Sequence, residues 1–291
     1  MQPAVEIRGL TKAYPKFTLG PIDLTVPPGA IYGFVGPNGS GKTTTLDLIF
    51  GMGPKDAGTI RVCGFDHERD EVAVKSRVGY VSPDLDFRPW GRVGGAIAFV
   101  RGFYPSWDDG YCTHLLDAFD MSRDDKVMTL SFGARIKLAL VLALSWRPAV
   151  LVLDEPTVGL DAISKQQLFS ELLAAVRDEE RTVVISSHAI SDLERFADHV
   201  GMIKQGRIVF EGAITDILER YRLVDFTVER PIDLAGAPGL IVQTKAPNRW
   251  RVLLDRQRTT LEALRARGAL QVAEAPVSLE DLFVALGRDA S

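Results

Sequence analysis

Eight consecutive residues have the composition and spacing of a loop that binds phosphate groups. Residues 36–43 read Gly-Pro-Asn-Gly-Ser-Gly-Lys-Thr and fit the pattern G-x-x-x-x-G-K-[ST]. Glycines let the backbone wrap closely around phosphates with its N–H groups pointing inward, and a helix that begins there adds its positive dipole end. Lys42 is expected to supply charge to the β- and γ-phosphates, and Thr43 a hydroxyl to Mg²⁺. The predicted phosphate-binding residues are Gly36, Pro37, Asn38, Gly39, Ser40, Gly41, Lys42, Thr43 and Thr44.

Two further candidates, Asp154 and Glu155, follow the apolar run Ala149–Leu153. Asp154 would reach the Mg²⁺ shell beside the phosphates, and Glu155 is a candidate general base for an attacking water. Adjacent carboxylates are also common at solvated strand ends. Here the run is too apolar for an edge strand, and Glu155-Pro156-Thr157 ends it at once. The two motifs together predict metal-assisted hydrolysis of a nucleotide.

The elements that must position these residues alternate along the chain. Six short segments are apolar or β-branched and end at Gly, Pro or charged residues, which predicts strands. They are Val5–Leu10, Ala30–Val35, Thr59–Val62, Arg77–Val81, Ala149–Leu153 and Thr182–Ser186. Helical spacing is found in Lys42–Phe50, Ser131–Trp146 and Ser164–Arg177. This alternation predicts an α/β fold in which helices cover a mostly parallel sheet.

Two parts of the chain depart from this alternation. Residues 84–128 have a mostly helical pattern, and eight of the 24 aromatic residues lie between Phe87 and Phe119. We expect a helical subdomain over about 84–146 in which most of these rings form a core, the alternative being a surface that faces a partner.

A small α+β appendage is expected after residue 220. Predicted strands and helices are Arg222–Arg230, Leu240–Lys245, Arg249–Leu254, Thr259–Arg267 and Ser278–Leu286. The predicted domains are therefore 1–220 and 221–291.

Composition narrows the range of functions. A chain of 291 residues is near the upper limit for one hydrophobic core, so a large domain with a smaller one is expected. Hydrophobic residues at 46%, charged residues at 25% and a net charge of −4 are typical of a folded chain. Because dedicated nucleic-acid binders carry a strongly basic domain or stripe, no nucleic-acid partner is predicted.

Cysteine usage and hydropathy address the cellular location. Cys63 and Cys112 form neither a disulfide framework nor a zinc site, which suits a reducing cytosol. The first residues lack the layout of a signal peptide. No apolar run approaches the roughly 20 residues that span a bilayer, and the longest, Leu138–Trp146, stops at Arg147-Pro148. We expect any membrane-spanning helices to belong to another chain.

Several further motifs resemble those of ATP-binding cassette (ABC) ATPases. Leu130-Ser131-Phe132-Gly133-Ala134 resembles the LSGGQ signature, and it begins a helix that leads into Ala149–Glu155. The family's Walker B motif, D-loop and switch histidine are matched by Asp154-Glu155-Pro156-Thr157, Gly159-Leu160-Asp161 and Ser187-His188. Because five motifs agree in order, the resemblance is specific, and it covers about residues 5–220.

The resemblance implies roles for residues that the spacing alone does not assign. Tyr14 stands where an aromatic ring stacks on the adenine of ATP; the alternative is a surface ring. Two such domains pack head to tail in the family, so Ser131 and Gly133 would contact the γ-phosphate held by a second ATPase subunit, identical or not. His188 would hydrogen-bond the γ-phosphate or the attacking water, while Glu155 polarises that water.

The chain departs from the family pattern at two places. Phe132 replaces the first glycine of the signature, and Ala134 replaces its glutamine. The family's metal-contacting glutamine is also missing after Val78-Gly79-Tyr80-Val81, where Ser82 or Asp84 is the candidate substitute. We expect the site to bind and hydrolyse ATP despite these changes. How Mg²⁺ binding is coupled to the transport partner is left open.

The resemblance also implies a function and a location. A single cassette and the tail Ser278–Phe283 resemble the ATPase subunits of bacterial exporters of drugs, peptides, lipids or polymers. Such a subunit dimerises on ATP and drives integral membrane permease subunits from the cytoplasmic face of the cell membrane. Three alternatives are an importer ATPase, a soluble ABC ATPase acting on DNA or ribosomes, and a binding module without catalysis.

Overall fold

The computed structural model describes residues 2–179, 181–188, 190–230, 232, 234 and 237–289. The chain divides into two compact units, the first running to residue 211 without 190–195 and the second comprising 190–195 and residues from 212 onward. The sequence assigned residues up to 220 to the first domain, whereas the structure groups 212–220 with the second unit.

Strands and helices alternate through the first unit and into the second. The strands are β1 Val5–Tyr14, β2 Phe17–Val26, β3 Ile31–Val35, β4 Ala57–Val62, β5 Phe65–Asp66, β6 Val78–Val81, β7 Val150–Leu153, β8 Thr182–Ser187, β9 His199–Lys204, β10 Arg207–Ala213, β11 Tyr221–Thr227, β12 Leu240–Lys245, β13 Arg249–Asp255 and β14 Leu270–Ala275. The α-helices are α1 Lys42–Phe50, α2 Glu71–Lys75, α3 Val93–Arg101, α4 Asp109–Ala118, α5 Phe132–Leu144, α6 Ala162–Glu179, α7 Ile190–Phe196, α8 Ile214–Arg220, α9 Leu261–Ala266 and α10 Leu279–Asp289.

A six-stranded sheet in the order β10-β9-β3-β8-β7-β6 carries the site. The five strands β9, β3, β8, β7 and β6 run parallel to one another, and every residue of β3, β7 and β8 is buried. Parallel strands buried on both faces explain why these segments are almost continuously apolar. Their carboxyl ends lie at one edge of the sheet, where open α/β sheets bind ligands.

An antiparallel sheet in the order β2-β1-β4-β5 forms the rest of the strand structure of the first unit. Residues of both sheets, among them Ile7, Leu24, Phe34 and Val152, share one buried core cluster. The sequence analysis missed β2, since Gly20 and Pro21 lie in its middle and proline normally argues against a strand.

Residues 84–146 contain α3, α4, α5 and the short 3-10 helices Arg88–Trp90 and Val127–Thr129. The expectation that most aromatic rings between Phe87 and Phe119 form a core is wrong. Only Phe119 among these eight rings is fully buried, while Phe99 and Phe103 are 47% and 66% exposed. The segment therefore presents aromatic surface.

The second unit contains an antiparallel sheet in the order β12-β13-β11-β14. Its buried face includes Val224, Phe226, Trp250 and Val252, and Leu264 of α9 packs in the same cluster. Strand β14 was not predicted, because its residues are mostly exposed and show little alternation of apolar and polar positions.

These observations match the α/β class with a mostly parallel sheet, a helical segment and a smaller α+β unit. Within the described residues, no helix is both long and apolar enough to cross a membrane.

Candidate nucleotide-binding and hydrolysis site

The phosphate loop joins β3 to the start of α1, as the sequence predicts. A side chain at position 36 would place its Cβ 2.3 Å from the carbonyl oxygen of Ile203, so only glycine fits there. Gly41 caps α1 with φ of 110°, and no side chain accepts a hydrogen bond at this helix start. The backbone N–H groups of the first turn are thereby left for a ligand, and the helix dipole makes an anion the favoured one.

Two buried side chains point to phosphate as that anion. Lys42 is 6% exposed, donates from Nζ to the carbonyl oxygen of Gly36 at 2.8 Å, and lies 3.5 Å from Oε1 of Glu155. Ser40 is 3% exposed, and its Oγ has no hydrogen-bond partner among the described residues. Because buried polar atoms are normally paired, a phosphate oxygen would satisfy Ser40 and give Lys42 a second anionic partner.

Thr43 and Asp154 meet although 111 positions separate them in sequence. Thr43 donates from Oγ1 to Oδ2 of Asp154 at 2.7 Å, and Asp154 is 4% exposed. A hydroxyl and a carboxylate next to a phosphate site form an oxygen donor set that fits Mg²⁺, which keeps few protein ligands and completes its shell with phosphates and water. Among the described residues, no cluster of three or more His, Cys, Asp or Glu able to hold a metal is found.

Glu155 lies between a lysine and a histidine. Its Oε2 is 2.7 Å from Nδ1 of His188, and the side chain is 16% exposed. The backbone of Glu155 has φ of 47°, a left-handed conformation that is uncommon for a residue other than glycine. Its N–H donates to Oγ of Ser186 at 2.8 Å. Backbone strain at Glu155, whose carboxylate contacts both Lys42 and His188, is typical of a functional position.

A cavity opens beside the phosphate loop and has an aromatic wall. It is lined by Tyr14, Phe17, Asn38, Gly39, Gly41, Lys42, Thr43, Thr44 and Glu155. Tyr14 is 46% exposed, and its ring stacks near that of Phe17, with centroids 6.5 Å apart and planes at 26°. The arrangement offers a flat apolar surface next to a phosphate site, which is what a purine nucleotide requires.

The signature-like segment lies outside this cavity. Ser131 is exposed and caps α5, accepting a hydrogen bond from the N–H of Ala134 at 3.1 Å. A Cβ on Gly133 would come 2.6 Å from the carbonyl oxygen of Gly159. Residues 131–133 thus pack against the turn at 159 in the same chain, and neither Ser131 nor Gly133 is among the residues that line the nucleotide cavity.

Comparison with known proteins identifies the family. The chain matches the family model described as ABC transporter over residues 19–158. It is 30% identical over 303 residues to the Nod factor export ATP-binding protein I of Burkholderia orbicola, covering 98% of this chain and 97% of that protein. The chain belongs to the ABC transporter ATP-binding proteins. YtrB of Bacillus subtilis, an ABC transporter ATP-binding protein, is 28% identical over 97% of both chains.

Solved structures agree with this ABC ATPase in fold. An ATP-binding subunit of an ABC transporter superposes with a TM-score of 0.66 at 20% identity, covering 74% of this chain and 92% of that one. A dimeric ATP-binding cassette in a post-hydrolysis state, bound to ADP and Pi, has a TM-score of 0.64 at 21% identity and covers 72% and 98%. The predictions of an ABC ATPase fold and of ATP binding and hydrolysis are confirmed.

The position of the missing glutamine in this ABC ATPase is occupied by a compact polar turn after β6. Ser82 is 6% exposed and accepts from the N–H of Asp84 at 3.3 Å. Tyr80 donates its hydroxyl to Asp47 of α1 at 2.5 Å. Burial raises the pKa of Asp47, the Tyr80 hydrogen bond opposes this, and the carboxylates of Asp154 and Asp84 add to the rise. The carboxylates of Asp47, Asp84 and Asp154 are thus close enough to interact electrostatically.

Two residues of the site were missed by sequence reasoning. Phe17 lines the nucleotide cavity beside Tyr14. The only signal for it in the sequence was that it is aromatic and lies three positions after Tyr14. Ser186 contacts both Asp154 and Glu155, and its signal was a polar residue after the three apolar residues Val183–Ile185 of the predicted strand. The functional roles of the predicted site residues remain predictions.

Proposed function

We propose that this ABC ATPase binds ATP with Mg²⁺, pairs with a second ATPase subunit, and drives export through separate membrane permease subunits. The observation that carries the proposal is the convergence of Lys42, the Thr43–Asp154 pair and the Glu155–His188 pair around one cavity. These groups supply phosphate binding, metal binding and activation of water.

The pairing is supported by the position of Ser131. Its exposed hydroxyl and the start of α5 form a site for an anion that the cavity of the same chain does not use. A second copy or a related subunit, packed head to tail, would bring this helix start to the γ-phosphate. Loss of that phosphate on hydrolysis then weakens the closed dimer, which converts ATP hydrolysis into movement.

Docking to a permease is supported by an apolar groove in the first unit. The groove is lined by residues that include Phe50, Leu85, Phe87 and Trp146. A row of rings, which we call the aromatic row, leads from it to the surface and comprises Phe87, Trp90, Phe99 and Phe103, with successive centroids 6.1, 4.9 and 5.1 Å apart. A continuous exposed apolar surface of this kind marks a protein-binding site.

Export is supported by the names of the relatives and by the tail. Several relatives of about the same length are Nod factor export ATP-binding proteins. Of the tail residues Ser278–Phe283, all but Ser278 belong to the start of α10, and Leu282 is fully buried there. A location at the cytoplasmic face of the cell membrane, through the permease, belongs to this proposal.

The test is purification of the complex from detergent-solubilised membranes, followed by reconstitution into liposomes. A multi-span protein should co-purify and raise the ATPase rate, and Phe103→Ser should lose this stimulation without changing the basal rate. Val72→Ser, which alters an 82% exposed apolar residue elsewhere, is the matched control.

The direction of transport is tested in the same liposomes with the ATPase subunits outside. ATP should load a fluorescent dye, a labelled phospholipid or a labelled peptide into the lumen, and Glu155→Gln should prevent this. Movement of the labelled compound out of the lumen would show that the transporter is an importer.

Recovery of only ribosomal or DNA-repair proteins in the purification would overturn the transporter proposal.

A further inference from the structure

We propose that Ser186 is a positioning residue for ATP hydrolysis, which fixes the metal-binding carboxylate and the candidate general base relative to each other. It is wholly buried at the carboxyl end of β8. Its hydroxyl touches two neighbouring residues with different roles, Asp154 and Glu155. The inference concerns the hydrolysis step itself and does not depend on the direction of transport.

The two hydrogen bonds use the hydroxyl as both donor and acceptor. Ser186 donates from Oγ to Oδ1 of Asp154 at 2.5 Å, and it accepts from the N–H of Glu155 at 2.8 Å. A serine hydroxyl has one proton to donate and two lone pairs, so both bonds form at once. Because Oδ1 is occupied in this way, the other oxygen of Asp154, Oδ2, is the one turned to Thr43 and the metal position.

Strand register explains why one side chain reaches both partners. Leu153 of β7 lies opposite Ile185 of β8, so Asp154 lies beside Ser186 where both strands end. The chain then turns at Glu155, where φ is 47°. A left-handed conformation is unfavourable for a residue other than glycine, and it needs a specific contact to persist. The bond from the Glu155 N–H to Ser186 is such a contact.

Loss of the hydroxyl would release both partners together. Asp154 could rotate away from Thr43, and the N–H of Glu155 would lose its partner at a buried edge of the sheet. Relaxation of the turn would then carry the Glu155 carboxylate away from His188, which it approaches to 2.7 Å. Groups that orient metal ligands typically change metal affinity or activity by about 10–100-fold when they are removed.

A buried serine also contributes to packing, and the experiment separates this from positioning. The full chain is compared with Ser186→Ala and Ser186→Cys, of which the cysteine fills the site with a slightly larger group that is a weak donor and acceptor. Ser145→Ala is the matched control, since Ser145 is equally buried and donates to the carbonyl oxygen of Val141 in α5. Three quantities are measured for each: ATP affinity without divalent metal, Mn²⁺ affinity of the ATP-loaded protein by electron paramagnetic resonance, and basal kcat and KM.

Both Ser186 variants should keep their metal-free ATP affinity within about twofold, since the phosphate loop is untouched. Their Mn²⁺ affinity and kcat should each fall by about 10–100-fold, with KM little changed. Ser145→Ala should leave all three quantities near wild type. Wild-type kcat and Mn²⁺ affinity in either Ser186 variant would overturn the proposal, as would an equal loss of metal-free ATP binding. Neither result bears on the permease or on export, which are tested separately.

Discussion

The carboxylate of Glu155 holds Nδ1 of His188 at 2.7 Å through one oxygen, while its other oxygen lies 3.5 Å from the ammonium of Lys42. The side chain is thus oriented from both ends before any substrate is added. His188 is 60% exposed, whereas Lys42 is 6% exposed, so the carboxylate spans from the buried phosphate loop to the open side of the cavity. A water between Glu155 and a bound γ-phosphate would meet a fixed base.

Glu155→Gln tests this role with little change of shape. The amide cannot accept the proton of the attacking water, so turnover should fall by about 10²–10⁴-fold while ATP still binds and promotes dimerisation. Phosphate release and size-exclusion chromatography with ATP measure the two effects. Glu68→Gln, at an exposed glutamate paired with Lys55, should change neither. Unchanged turnover in Glu155→Gln would show that Glu155 is not the general base.

The phosphate loop and the Asp154 pair were predictable because their chemistry depends on local spacing. A glycine-rich loop between an apolar strand and a helix is typical of a phosphate site. A carboxylate that follows a second buried parallel strand lies at the same edge of the sheet. The contact between Thr43 and Asp154 follows from these two facts. By contrast, Ser186 was not predicted, since which strands are neighbours is a property of sheet order rather than of sequence.

The aromatic residues between Phe87 and Phe119 could not be assigned correctly from composition. Aromatic residues are usually buried, and this preference favours a core. In the structure α3 and the turn after it present Phe99 and Phe103 to solvent, while the buried positions of α3 are taken by Val93, Ala96 and Ile97. Aromatic residues that bind a partner at the surface look the same in the sequence as aromatic residues in a core.

Tyr14→Ala should weaken ATP binding by roughly 5- to 150-fold, since stacking on a base contributes about 1–3 kcal/mol. Tyr14→Phe keeps the ring and should bind ATP like the wild type. Calorimetric titration with ATP and with inorganic triphosphate separates the base from the phosphates. The triphosphate affinity should be the same in all three proteins, and a parallel loss of both affinities in Tyr14→Ala would contradict stacking.

Gly159→Ala should destabilise the first unit for two reasons. The backbone there has φ of 74°, which costs a non-glycine residue about 1–2 kcal/mol, and a Cβ would come 2.6 Å from Cδ1 of Phe132. Adding Phe132→Ala removes the clash but not the backbone cost. The double variant should therefore be more stable than the sum of the single effects by about 1 kcal/mol.

Urea denaturation followed by tryptophan fluorescence measures this coupling, because three of the four tryptophans lie in the first unit: Trp90, Trp107 and Trp146. If the two substitutions change the free energy of unfolding additively, the methyl group of Gly159→Ala does not clash with Phe132.

Asp255→Asn should make the stability of the second unit less dependent on pH. Asp255 is 5% exposed and receives two hydrogen bonds from Arg220, at 2.9 and 2.5 Å. Burial raises the pKa of Asp255, but the hydrogen bonds from Arg220 and the N–H of Gln257 outweigh it, so the net pKa is lowered. A carboxyl with a lowered folded-state pKa stabilises the fold above its unfolded pKa of about 3.9, and this contribution is lost as pH falls through the folded value.

At pH 7, removing the charge of Asp255 should cost about 1–3 kcal/mol, because the partly buried Arg220 loses its counter-charge and one of the two oxygens that accept its hydrogen bonds. The difference from the wild type should start to shrink as the pH falls below the unfolded pKa, and it should be smallest below the lower folded pKa, where the wild-type carboxyl is neutral in both states. Hydrogen exchange at the amides of β11 and β13 reports on this unit alone. Asp225→Asn breaks a pair with Arg251, which is 48% exposed, and should cost less than about 1 kcal/mol. Equal effects of the two substitutions would mean that burial adds nothing to the Asp255 pair.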